Sequence, residues 1–119
     1  MQVNTIDAIK TIPVSVNVHA PFNPDDVTVN PDPIMVTHHC TIVFTLDATT
    51  APTVRFTGLT VTGGGGDQLG KPVISADGRT MSVEDKHTNT KREVIDFDLT
   101  FDNNGVCFAH DPQIINDPE

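Results

Sequence analysis

Tryptophan and tyrosine are both absent from the chain, whose aromatic set is six phenylalanines: Phe22, Phe44, Phe56, Phe97, Phe101 and Phe108. The two missing residue types supply most interface hot spots and the amphipathic stacking platforms that sugars and bases use. Their absence argues against a lectin-like module and, with less force, against a hot-spot-driven protein binder. The phenylalanines are therefore assigned to a core. Basic residues are also scarce: seven Lys and Arg stand against sixteen Asp and Glu, the formal net charge is −9, and no basic run exceeds Lys91-Arg92. Such a surface repels a phosphate backbone, so nucleic acid is not an expected partner.

Long apolar runs are missing too, so no segment has the length to span a membrane as a helix. The opening MQVNTIDAIK has neither a basic start nor a continuous apolar stretch. No secretory leader is expected from such an opening, and the expected compartment is the cytoplasm. Cysteine is limited to Cys40 and Cys107. Their separation of 67 residues suits the bridge of an immunoglobulin domain, but the tryptophan that packs on that bridge is absent, so two free thiols are expected. At 119 residues the chain is expected to form one domain, 1–119, that buries about two-thirds of its unfolded surface without a metal or disulfide.

Nearly every ordered stretch alternates with a period of two. Ile12, Val14, Val16 and Val18 alternate with polar residues, and Pro13 points to an edge or a strand start. Val27 and Val29 continue after a turn. Cys40, Ile42, Phe44 and Leu46 share one face, which makes Cys40 a small buried hydrophobe. Val54 to Val61 forms a strand interrupted at Gly58, and Gly63 to Gly66 is expected as a mobile loop. Asp77-Gly78 between two apolar runs is a hairpin signal. In EVIDFDLTF, Ile95, Phe97, Leu99 and Phe101 face one way while Asp96, Asp98 and Thr100 face the other. Asp102 to Gly105 turns the chain, and Val106 to Ala109 returns beside it. Short strands with frequent turns and no helical period predict an all-β, antiparallel Greek-key β-sandwich, immunoglobulin-like or cupredoxin-like.

Few residue patterns suggest chemistry. Gly65 to Lys71 satisfies G-x-x-x-x-G-K, but Pro72 stands where a phosphate loop needs Ser or Thr, and Val73-Ile74 reads as a strand rather than a helix. A flexible inter-strand loop is the expected outcome. Asp96, Asp98 and Asp102 form an oxygen-rich face of the kind that holds calcium, although an antiparallel strand also keeps its outer face polar for solubility. There is no G-x-S-x-G elbow, and Ser15, Ser75 and Ser82 lie inside strand patterns, so a small hydrolase stands as a second alternative only. His87 lies in the charged turn EDKHTNTKRE and is expected to be solvated, while adjacent His38 and His39 point to opposite faces.

The stretch CFAHDPQ spaces Cys107, His110 and Gln113 three residues apart. Blue-copper sites use one thiolate, two imidazoles and a weak axial ligand. The spacing resembles the ligand loop of the amicyanin branch of cupredoxins, with glutamine where that branch has methionine. The resemblance implies an earlier histidine in the middle third of the chain, and the corresponding place falls near Arg55. The bland alternative is a returning strand, CFAH, followed by an Asp-Pro turn.

The closing segment HDPQIINDPE contains Asp111-Pro112, Ile114 and Asn116-Asp117-Pro118. It resembles the closing motif of the small bacterial DP-EP family, compact β-sandwich proteins without an established activity. The motif departs at Asp117, where the family name implies glutamate. This resemblance implies a sandwich fold and carries over no catalytic residue. The expectation is an acidic, non-enzymatic module with a structural or binding role and no cofactor, whose partner is an unidentified protein or a second copy meeting an exposed sheet edge. Copper at Cys107, His110 and Gln113 is the alternative.

Overall fold

The structure, a computed structural model, describes residues 10–118. The opening segment on which the reading of the leader rests lies outside the described residues. Among the described residues ten strands follow one another: β1 Lys10–Val18, β2 Val27–Asn30, β3 Ile34–Val36, β4 Cys40–Leu46, β5 Val54–Gly63, β6 Val73–Ile74, β7 Thr80–Asp85, β8 Glu93–Asn103, β9 Val106–His110 and β10 Gln113–Asn116. Two short 3-10 turns, Pro24–Asp26 and Gly66–Gln68, complete the regular structure.

The strands form two sheets, ordered β2-β1-β4-β7-β6 and β3-β10-β8-β5, with β9 also paired to β8. Alternation places one face of each sheet inward. Val14, Val16, Ile42, Phe44, Met81 and Val83 come from the first sheet, and Ile34, Phe56, Ile95, Phe97, Leu99, Phe101 and Ile114 from the second. Phe44 joins the sheets, edge-on to Phe56 at 6.5 Å and to Phe97 at 6.1 Å between ring centroids. An all-β sandwich is thus what the period-two pattern produces.

Pairing is not uniformly antiparallel. β1 runs parallel to β4, and β10 runs parallel to β3. The reason lies in the crossings. After β2 the chain passes to the opposite sheet to form β3, then returns as β4 on the far side of β1, travelling in the direction of β1. Such a connection is long-range, so local periodicity does not encode it.

Local signals hold well elsewhere. The strand interruption expected at Gly58 is a register shift between Phe56 and Gly58. Gly78 adopts φ 72° in the hairpin between β6 and β7, a conformation that disfavours a side chain. Its neighbour Asp77 fixes the turn by accepting from Ser75 Oγ and Arg79 N. The four-glycine stretch departs from expectation. Gly63 pairs with Asp96, Gly64 at φ 77° lies against the carbonyl of Val94, and Gly66 opens a 3-10 turn, so the glycines permit close backbone approach rather than forming a loose loop.

Candidate functional site

CFAHDPQ is strand for most of its length. β9 and β10 lie along the same edge of β8, broken at Asp111-Pro112. Cys107 pairs with Asp102 on the outer face, whereas His110 pairs with Leu99, whose side chain points inward. Residues three apart in one extended strand project from opposite faces. Gln113 pairs with Asp96, six residues along β8 from Asp102, which corresponds to roughly 20 Å at about 3.3 Å per residue. The strand therefore separates the three residues that the spacing had grouped. Phe108 holds β9 down, stacked on Phe101 at 5.1 Å.

The carboxylates of β8 are dispersed in the same way. Asp96 accepts from Gln113 Nε2 at 2.7 Å, Asp102 accepts from Arg55 at 3.5 Å, and Asp98 pairs across from Thr60. The calcium reading needs all three on one ion, but the strand spreads Asp96 and Asp102 along its length. Among the described residues, no group of three or more His, Cys, Asp or Glu side chains is arranged to hold a metal ion. The G-x-x-x-x-G-K stretch is a three-residue 3-10 turn leading to β6, without the helix that would face a phosphate.

Polar groups gather instead at the end of the sandwich where β7 stops and β8 starts. Asp85 and Asn116 are both fully buried, and Asn116 Nδ2 donates to Asp85 Oδ1 at 2.7 Å. The same Oδ1 accepts the backbone N–H of His87 at 3.0 Å, bending the chain away from β7 with His87 at φ 52°. His87 is not simply solvated: it is part-buried, and its Nε2 lies 3.0 Å from the carbonyl of Asp117. Buried Gln68 accepts from Thr88 N at 2.6 Å and donates to Thr88 Oγ1 at 3.0 Å. Asn89 Nδ2 donates to the carbonyls of Lys91 and Asn116.

Beside this network lies a cleft of about 310 Å³, lined by Asp67, Gln68, Thr88, Asn89, Thr90, Lys91 and Glu93. Glu93 Oε1 is buried there without a hydrogen-bond partner. Burial pushes the Asp85 carboxyl above its ordinary range, outweighing the hydrogen bonds of Asn116 and His87 and the attraction of His87 and His39. Burial, and next the charge of Asp85, push the Cys40 thiol up to about 12.

The family model described as the DP-EP family matches residues 9–118. The chain belongs to the DP-EP family. No curated protein matches the chain. The matched range includes both Asp-Pro steps of the tail. In this DP-EP chain the first step ends β9, and the second follows Asn116 with the Asp117 N–H bonded to Val36 O at 2.8 Å.

Sequence reasoning missed the Asp85 network because EDKHTNTKRE resembles any charged turn. A signal was available. Asp85 continues the inward positions of Met81 and Val83, and Asn116 continues that of Ile114. A polar residue in phase with a core face marks a buried polar group.

Proposed function

We propose that the chain is a non-catalytic binding module whose ligand surface is the polar cleft between the glycine turn and residues 88–91. The observation that carries this reading is the fixed position of the lining: Gln68 and Thr88 hold each other through three contacts, two of them through Gln68 Oε1. Preorganised polar groups around a recess favour a small hydrogen-bonding ligand, since little side-chain freedom is lost on binding. The lining carries both signs of charge, from Asp67, Glu93 and Lys91, and no thiol or imidazole. It therefore suits recognition better than nucleophilic chemistry. A cytoplasmic setting agrees with Cys40 and Cys107 as free thiols.

Titration of 15N-labelled protein with free amino acids and monosaccharides tests the reading. Shifts confined to Gln68, Thr88, Asn89 and Lys91, abolished by Gln68→Ala, support it. Shifts confined to the outer sheet faces, or turnover of a probe, overturn it.

Self-association has separate support on the outer face of the second sheet. Exposed Met35 and Val94 flank Ile115 in register, so an apolar row crosses β10 and ends at edge strand β3. A second copy adding to that edge would cover the row by two-fold contact. Sedimentation showing a dimer that Met35→Glu dissociates would favour this reading over an isolated monomer.

A further inference from the structure

Asp85 Oδ2 and Asn116 Oδ1 are both buried oxygens without a hydrogen-bond partner, and they belong to two side chains already joined by a 2.7 Å hydrogen bond. The amide orientation is set by its surroundings. Asn116 Nδ2 faces Asp85 Oδ1 and, at 3.4 Å, Asn89 Oδ1, so turning the amide over would aim its oxygen at two acceptors. Asn116 Oδ1 therefore needs a donor, and an ionised carboxylate supplies none.

We propose that Asp85 is held as the neutral carboxylic acid, its Oδ2–H donating to Asn116 Oδ1 to close a cyclic acid-amide pair, and that loss of this proton releases the 85–89 segment from β10. One hydrogen satisfies both unpartnered oxygens. The remaining contacts fit the same state: Oδ1 is then the carbonyl oxygen, which accepts from Asn116 Nδ2 and from His87 N. A second hydrogen bond replaces a buried charge, and burying an unpaired carboxylate is the more costly arrangement.

The groups around Asp85 do not offer a better counter-charge. From β4 comes Cys40, its direct strand partner, a thiol that burial by itself keeps protonated and that therefore brings no charge of either sign. The chain before β4 contributes His39, whose Nε2 is engaged by Glu84 at 2.6 Å. On its own segment, His87 bonds Asp117, while Glu84 and Lys86 are the flanking charges. Across the sheets, β10 presents neutral Asn116, and the residue paired with Asn116 in register is Glu93 of β8, a second carboxyl rather than a cation. The only other described segment bridged to Asp85 is Leu69, which is apolar. No lysine or arginine forms an ion pair with Asp85 among the described residues.

The device is a pH-sensitive fastening between the segment that lines the cleft and the tail strand. It does not depend on what the cleft binds. Infrared spectroscopy of the full chain at pH 7 tests it directly, because exposed carboxyl groups are ionised there. The expected result is a protonated-carboxyl carbonyl band that shifts in heavy water and vanishes in Asp85→Asn. That substitution preserves a cyclic pair, so Tm at pH 7 should hold or rise by a few degrees. Absence of the band in the wild-type chain overturns the proposal, whether a water or a cation bridges the two oxygens. A fall in Tm on removal of divalent cations with chelator, together with a missing band, would identify the cation.

Discussion

Two aspartates mark the two ends of β4, and they are treated in opposite ways. Asp47 follows the last residue of the strand, while Asp85 pairs with its first, Cys40. At the Asp47 end the carboxylate is well supplied: Asn17 Nδ2, Thr49 N and Oγ1, and Thr50 N and Oγ1 all donate to it. Arg79 completes that end by donating to the carbonyls of Asp47, Thr50, Ala51 and Val54. At the other end Asp85 receives two donors and keeps one oxygen without a partner. The difference teaches that donor supply, set against burial, decides the charge state of a carboxyl. Burial by itself raises Asp47, but its hydrogen bonds outweigh that effect and hold its carboxyl below the ordinary range.

Replacing the partner of the poorly supplied aspartate should have the largest effect. Asn116→Leu leaves Asp85 buried with one backbone donor, and urea unfolding is expected to show a loss of about 2–3 kcal/mol, the cost of an unsatisfied buried polar group. A loss below about 0.5 kcal/mol, the range of neutral surface changes, would erase the contrast between the two ends. Next comes Asp47→Ala, which strips the acceptor from three side chains and two backbone amides. Roughly 2 kcal/mol is expected from several net hydrogen bonds, with the loss expressed at neutral pH and fading in acid.

The pH profile sharpens the same comparison because the two groups act with opposite sign. Asp47 titrates below the ordinary 3.8 when folded, so its contribution is present above that value and disappears as pH falls through the folded one. Asp85 titrates above 3.8 when folded, so its contribution is complete below that value and disappears as pH rises through the folded one. Thermal melts across pH should show two limbs, with Asp47→Asn flattening the acid limb and Asp85→Asn the other. If neither limb responds, other carboxyls govern the profile.

The smallest change in stability is expected at the exposed thiol of β9. Cys107 is exposed and Cys40 is buried with its thiol pushed up to about 12. Iodoacetamide should label Cys107 in the folded protein and Cys40 only after unfolding, and Cys107→Ser should move stability by less than about 0.5 kcal/mol. Addition of Cu(II) to the wild-type chain then checks the cupredoxin-type reading: an intense visible thiolate band lost in Cys107→Ser would mean that β9 rearranges to bring Cys107 and His110 together.

Much of this was legible in particular residues. Ile95, Phe97, Leu99 and Phe101 declared the central strand, Asp77-Gly78 declared a hairpin, and Cys40 was assigned to the core it occupies. Strand β3 leaves little trace in the sequence, because the prolines at 31 and 33 obscure the alternation of Ile34 and Val36. The Asp85 network was hidden for a different reason. Its partners are 31 residues away in the tail and 20 residues back across the glycine turn, between Gln68 and Thr88.

Local pattern is enough to place most of the strands, their inward faces and the family. Those properties follow from side-chain period and turn chemistry, which act over a few residues. Only the tertiary structure decided that β1 and β4 run parallel, that Cys107 and His110 diverge, and that Asp85 meets Asn116. Each depends on which distant strands become neighbours, a choice made by joint burial of two sheet faces rather than by any local segment.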